Sequence, residues 1–493
     1  MRKRRSLFLL LTAVFLLLSV GHVHGNGWES YQGDDRNTGH VNATVPENVT
    51  EDWVFSTNGS VASSSVVVND TVYFGSIGSD YADFLPTVTE QGAEAIDGRI
   101  HSINATTGDE NWNVSTPSGV WSTPAYEDGN LYVASAGGTV YRLNASSGEV
   151  EWEFEAGEPV LSSPKVEDGT LYIGTTRFDA HRLSEDGRRL FYALNTSDGS
   201  VVWKHGVEQG VFAPPAVRDG AVYVGDQNGT FYSMNTSDGD VRWSYETQGD
   251  DSSEDALLRF GGVTSAPTVV DSRIYFGSYN GILYTLNSSG YEVWRTNLST
   301  LNPPSPDDEN SLNGTLAASA GVRGGTLYVG GYGNAFHSID TQTGEPNWVY
   351  ETYLTKPSPA VGEETVVAGI NEGVLGLNVS NGAEVWSFPT RSRVISSPAV
   401  VNGEIYFTDI GGNVHKLVRG ERAETNGTQE TEETNETQEK LGQNTTVSER
   451  VSGPGVPNPS DRQSDTGPVY LLFPLAAGFV LIGLLGLAYR RMS

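Results

Sequence analysis

Three observations predict an all-β chain folded as an eight-bladed β-propeller of four-stranded antiparallel blades. First, the stretch Val120 to Trp152 recurs along most of the sequence, its copies marked by tryptophans at positions 112, 152, 203, 243, 294, 348 and 386; repeats of roughly 40 residues signal a propeller or array rather than a string of unrelated domains. Second, every copy alternates apolar and polar residues in short runs bounded by Gly, Asn, Asp or Ser, the pattern of strands in a meander, and no helical period competes with it. Third, an eighth copy starts at Val394 but lacks a tryptophan strand, whereas Glu51-Asp-Trp53-Val-Phe55 matches such a strand and has no unit of its own. An N-terminal strand that completes the last blade closes the ring without leaving an unpaired edge.

Each element of the unit has its own justification. Ala125 to Glu127 (strand A) ends at the turn Asp128-Gly129; Leu131 to Val133 (B) runs up to Gly137-Gly138; Thr139 to Leu143 (C) precedes the turn Asn144 to Gly148; Trp152 lies in strand D. Asn, Asp and Gly tolerate the left-handed backbone and supply the side-chain hydrogen bonds that tight turns need. Strand A opens on small residues and a proline at 124, 164, 215, 267, 359 and 398, with Ser65 and Ala320 as the exceptions. Small side chains suit strands that crowd an axis, and the outer tryptophans are expected to pack between neighbouring sheets, where a large aromatic buries the most surface.

The ends and the composition set the surroundings. Residues 1–25 read as a secretory signal, with Arg2-Lys3-Arg4-Arg5 before an apolar run; 26–50 form a lead-in and 51–418 the propeller. Residues 419–467, rich in Glu, Thr, Asn and Gln, read as a disordered acidic stalk. Residues 468–489 are an uncharged apolar run long enough to span a bilayer, and the 490–493 tail carries Arg490 and Arg491. Positive charge after the span puts the tail inside and the propeller outside, a single-pass protein of the cell membrane. A net charge of −31, spread over the turns, reads as a solvated, halophile-like surface, and with no basic stripe to neutralise phosphates it excludes nucleic acid as a partner. The absence of cysteine excludes disulfides, thiolate metal sites and lipidated cysteine.

Parity sorts the connections. In a four-stranded meander the A–B and C–D turns share one face, and the B–C and D–A connections share the other. The long excursions, Ser76 to Gly98, Thr176 to Arg189, Gln248 to Gly261 and Leu298 to Gly314, all fall on the second face. Long loops grouped on a rigid scaffold are expected to carry recognition, so this face is the predicted binding face for a protein or glycan ligand. Asp250, Asp251, Glu254 and Asp255 form a candidate cation site there, although their spacing is not that of an EF-hand. Lys356, Arg391 and Arg393 precede inner strands and are candidates for anion attraction at the channel mouth. His101, His337 and His415 align with tyrosines of strand C and are expected to be core-facing aromatic substitutes rather than metal ligands. Of seventeen Asn-x-Ser/Thr sequons, several coincide with the C–D turns; those at Asn426, Asn435 and Asn444 in the stalk are the clearest glycosylation candidates.

The succession of Ser-Ser-Pro, Asp-Gly, Leu-Tyr-x-Gly, Tyr-x-Leu-Asn and Gly before Trp resembles the PQQ-like repeat of the quinoprotein alcohol dehydrogenase-like propellers, and covers about residues 51 to 418. The opening Trp28 to Gly39 is similar to the lead-in of haloarchaeal surface proteins of this group. The resemblance implies one of two functions. The first is a noncatalytic surface scaffold, similar in architecture to the propeller lipoprotein of the bacterial outer-membrane barrel-assembly machinery; no cofactor is expected for it. The alternative is a PQQ-dependent alcohol or sugar dehydrogenase with PQQ and calcium at the axis, a group in which many members carry a disulfide of adjacent cysteines that this chain lacks. No position matches that group's catalytic aspartate.

Overall fold

The computed structural model describes residues 27–41, 43–92, 95–176, 189–249, 262–301, 318–331, 335–352 and 357–421. The predicted signal segment, span and tail, and the stalk beyond residue 421, lie outside these residues. Among the described residues no helix is long and apolar enough to cross a membrane.

Among the described residues thirty-two strands form eight four-stranded antiparallel sheets. Strand β1 (Val49–Ser56) comes first in the chain but belongs to the last blade, while β2 (Val66–Val68), β3 (Thr71–Ile77), β4 (Gly98–Asn104) and β5 (Glu110–Thr116) make the first. The next blade is β6 (Ala125–Glu127), β7 (Asn130–Ala134), β8 (Thr139–Asn144) and β9 (Val150–Glu155), and five more follow in the same order. In the eighth, β30 (Ala399–Val401), β31 (Glu404–Thr408) and β32 (Asn413–Arg419) are completed by β1, paired from Val49 with Arg419 to Ser56 with Asn413. The N-terminal strand thus completes the eighth sheet, and the strands of the ring run from Val49 to Arg419.

The turns follow the predicted chemistry. At the A–B turn of the second blade Asp128 and Gly129 have φ of 48° and 83°, the paired left-handed residues of a type I′ hairpin, whose twist matches the flanking strands. In every blade the C–D ladder slips by one residue next to the tryptophan, as between Arg142 and Leu143, where Arg142 pairs with Trp152 and Leu143 with Val150. Such a bulge bends the outer strand and re-aims its side chains.

That re-aiming produces the contact that fastens blade to blade. Each tryptophan indole lies over the C–D turn of the next blade and donates its N–H to a carbonyl there: Trp53 to Ala105 (3.0 Å), Trp112 to Ala145 (3.1 Å), Trp152 to Thr196 (2.9 Å) and Trp203 to Thr236 (2.7 Å), with Trp243, Trp294 and Trp348 repeating the pattern. The eighth blade has no C–D turn because its outer strand comes from the other end of the chain. Trp386 donates instead to Pro46 in the lead-in (2.9 Å), so the lead-in replaces the missing turn. The apolar cores lie between sheets, as where Val140 of one blade packs with Ile173 and Leu194 of the next.

Candidate binding face and axial channel

The strand order puts the B–C and D–A connections on one face, which carries the mouth of the axial channel. Of the four long excursions, the described residues include most of Ser76 to Gly98. It is not the loop that the sequence suggested: Tyr81–Gln91 forms an α-helix, α1, despite Pro86, which removes one amide from its ladder. Tyr81 and Phe84, one turn apart, anchor the helix against Trp121 with ring centroids 5.5 and 4.6 Å away. Trp121, Leu161, Phe212 and Ile395 each stand four residues before an inner strand and, with Ile410, build an apolar collar around the mouth under this helix. The Thr176 to Arg189 excursion is clasped at its base by the buried pair Arg189–Glu158 (3.0 Å). The Leu298 to Gly314 excursion opens with a single helical turn, α2 (Leu298–Leu301).

Beneath the collar the channel is lined by hydroxyls, because small residues are the ones that fit the axis. Backbone amides of one inner strand donate to the hydroxyl of the next: Ser319 to Ser358 (2.8 Å), Ser358 to Ser397 (3.0 Å), Ser397 to Ser64 (2.9 Å), Ser64 to Thr123 (3.2 Å) and Thr123 to Ser163 (2.9 Å). Pro214 and Ala266, at the equivalent positions, have no hydroxyl and interrupt the girdle.

The other end of the channel is stoppered by the lead-in, which sequence reading treated as a separate segment and which is instead part of the propeller. Residues 28 to 39 circle the axis and offer one carbonyl after another to inner strands: Trp28 to the amide of Val67, Glu29 to Tyr126, Asp35 to Val217, Arg36 to Val269, Thr38 to Val322 and Gly39 to Val361. Tyr31 reaches into the girdle, its hydroxyl 2.7 Å from Ser358 Oγ. Asn37 Nδ2 donates to the carbonyls of Pro215 (3.1 Å) and Pro267 (3.0 Å). Lys165, fully buried in its inner strand, donates to Ser30 Oγ (2.9 Å) and to the carbonyls of Tyr31 (3.3 Å) and Asp34 (2.7 Å). Burial pulls its ammonium down to about 8, with Asp35 and Asp34 opposing the shift. Sequence reasoning missed Lys165, yet a signal was present: it stands where the other inner strands carry Val, Ala, Thr or Gly.

The predicted site residues separate as follows. Arg393 is half-buried, with its guanidinium 5.9 Å from the centre of the Tyr81 ring, and burial raises the Tyr81 phenol, opposed by the charge of Arg393. Arg391 is exposed. Lys356, the acidic group Asp250, Asp251, Glu254 and Asp255, and the sequons at Asn426, Asn435 and Asn444 lie outside the described residues.

The three histidines are buried in strand C of separate blades. Two stack on a phenylalanine of strand B, His101 on Phe74 and His415 on Phe407, both at 4.7 Å. His337 is driven down to about 4 by burial alone. Among the described residues no three His, Cys, Asp or Glu side chains come together to hold a metal. A calcium-bound quinone at the axis would therefore meet hydroxyls and Arg393 here but no carboxylate cluster among these residues.

A family model described as outer membrane protein assembly factor BamB matches residues 96–311 and 280–452. Among curated proteins, the chain is similar to the assembly factor BamB of Salmonella typhimurium, 28% identical over 225 residues, covering 45% of this chain and 55% of the relative. A tetrathionate hydrolase of Acidithiobacillus ferrooxidans is 26% identical over 172 residues, 34% of this chain and 29% of the relative. The chain thus spans little more than half the length of the assembly factors it matches. Solved structures of like fold include BamB from Moraxella catarrhalis, with a TM-score of 0.56 at 16% identity over 75% of this chain and 98% of that one. A europium-containing methanol dehydrogenase gives 0.64 at 14% identity over 80% of this chain and 98% of that one.

Proposed function

This chain belongs to the PQQ-repeat propeller family described as outer membrane protein assembly factor BamB, and from that premise we propose that it is a binding scaffold which holds a protein partner on the face of its B–C and D–A connections. The observation that carries this reading is the difference between the two ends of the channel. One end is filled by the lead-in and edged by tight turns, while the other is a half-exposed apolar collar flanked by α1 and by the roots of all the long excursions. Aromatic and aliphatic side chains gathered at one mouth, with polar loops around them, have the composition of an interface centre and its rim.

In its finer form the proposal places the propeller outside the cell, held by the C-terminal apolar run, with a protein or a glycan as ligand, sequons of the stalk modified and the acidic surface suited to high salt. The dehydrogenase alternative gains no support from the donor set at the axis. The test is an affinity capture from membranes in high salt, comparing the full chain with variants in which residues 79–96 are shortened or Trp121 and Phe212 are changed to Ser. Partner recovery should fall by about ten-fold or more, the loss of roughly 1.4 kcal/mol at one anchor. The same recovery from these variants as from the full chain would refute the assignment of the face, and turnover of alcohols with added PQQ and calcium would refute the scaffold reading itself.

A further inference from the structure

Away from the axis, where the outer strand of the eighth blade meets the first, three side chains from adjacent strands converge on one cleft. Ser76 is the penultimate residue of β3, His101 lies in β4 and Glu110 begins β5, and the register puts His101 opposite Phe74 and Asn113, with Glu110 opposite Ile103 beside the bulge. Ser76 Oγ is 2.9 Å from His101 Nε2, and Glu110 Oε1 is 3.1 Å from His101 Nδ1. The imidazole is fixed in its plane by stacking on Phe74 and by the edge of Phe55. Asn113 Nδ2 donates to the second oxygen of Glu110 at 2.9 Å. All three residues line a cleft of about 470 Å³ together with Asn58, Gly59 and Gly78, a volume within the range of small-molecule sites.

We propose that Ser76, His101 and Glu110 are a nucleophile, base and orienting acid that hydrolyse small carboxylic esters in this cleft. The oxygen of Ser76 adds to the ester carbonyl carbon while its proton passes to His101 Nε2; the tetrahedral adduct breaks its bond to the alkoxy oxygen, which takes that proton and leaves as the alcohol. Water then adds to the acyl-serine by the same route, releasing the carboxylic acid and restoring the hydroxyl. Glu110 holds the Nδ1 proton in place and so fixes the tautomer that leaves Nε2 free to accept. This activity lies outside the sequence expectation of a noncatalytic scaffold, and its cleft adjoins the root of the Ser76 to Gly98 excursion, so Ser76, Gly78 and Gly98 belong to both.

The eighth blade provides an internal comparison. There His415 makes the same two contacts, to Glu51 (2.8 Å) through Nδ1 and through Nε2 to Asp409 (3.2 Å), so an acid replaces the nucleophile. Against burial, those hydrogen bonds raise the His415 imidazole, which makes an ion pair and no base. In the first blade burial lowers His101, with Glu110 opposing, and a neutral imidazole is the form that accepts a serine proton.

The full chain is incubated with a fluorophosphonate probe and with p-nitrophenyl acetate. Covalent labelling at Ser76, located by peptide mass, and ester hydrolysis that is lost in Ser76→Ala and falls about ten-fold or more in Glu110→Gln, are expected; Asp409→Ala should leave both unchanged. Because the sequence contains no cysteine, Ser76→Cys introduces a single thiol whose alkylation by iodoacetamide reads access to the position without any chemistry on esters. An unreactive thiol, absence of the Ser76 adduct in a chain with native circular dichroism, or hydrolysis that survives Ser76→Ala each overturns the proposal.

Discussion

The indole-over-turn contact can be tested at a single glycine with an internal control. Gly239 closes a C–D turn with φ of +74°, and a Cβ built there would stand 2.5 Å from Cε3 and 2.7 Å from Cδ2 of Trp203. The indole cannot slide away without giving up its bond to Thr236 in the same turn, 2.7 Å long. Gly129 has nearly the same backbone, φ +83°, but a Cβ there meets nothing within 4 Å. Changing either to Ala imposes the left-handed cost of about 1–2 kcal/mol and the same small gain from a stiffer unfolded chain. Only Gly239→Ala adds overpacking, about 1–3 kcal/mol. Gly129→Ala should therefore lose about 1–2 kcal/mol and Gly239→Ala about 2–5 kcal/mol. In a chain this long a melting temperature moves only about 1 °C per kcal/mol, so urea midpoints at fixed salt are the better measure. Equal midpoints for the two variants would mean that the indole does not bear on the turn, and the account of blade docking would fall with it.

Three further outcomes follow from the same contacts. His415 is raised in the folded protein by Glu51 and Asp409 against the effect of burial, so its contribution is fully present below the unfolded value near 6.5 and is lost as pH rises through the folded value; in His415→Phe, which keeps the stack on Phe407, the urea midpoint should lose that part of its pH dependence. Lys165→Met takes the donor away from Ser30 Oγ and from the carbonyl of Tyr31, while the Asp34 carbonyl keeps the amide of Asn37 at 3.1 Å; at about 1–3 kcal/mol for each buried group left unpaired, this should expose the lead-in near Trp28 to Gly39 to limited proteolysis while the blades stay intact, and a lead-in as resistant as that of the parent would show that Lys165 does not anchor it. Trp386→Phe keeps an aromatic ring but removes the N–H that reaches Pro46, and about 1 kcal/mol of stability should go with it; no change would mean that the lead-in does not stand in for the missing turn.

What the sequence revealed and what it hid divide along a physical line. A blade is specified locally: the Asn-to-Gly turn, the left-handed Asp-Gly and the tryptophan two strands away are each demanded by a backbone conformation or a neighbouring surface, and the same demands recur in most blades, so the periodicity displays them. The closure by Trp53 was legible for that reason, since a strand lacking a unit and a unit lacking a strand fit one geometry. The lead-in is bound differently. Its carbonyls go to amides of six different inner strands, and backbone carbonyls leave no mark on residue identity, so Trp28 to Gly39 shows no repeat and its role emerges only in three dimensions. Helix α1 was hidden by Pro86 and by its dependence on Trp121, a partner outside its own segment. The alignment of His101 with strand-C tyrosines correctly placed it in the core. It could not show Ser76 and Glu110 beside it, because that meeting depends on the register of three strands and on the slip next to Trp112. The bulge that aims each tryptophan at the next blade thus lies beside the residue that orients His101, and docking and candidate chemistry share one irregularity of the repeat.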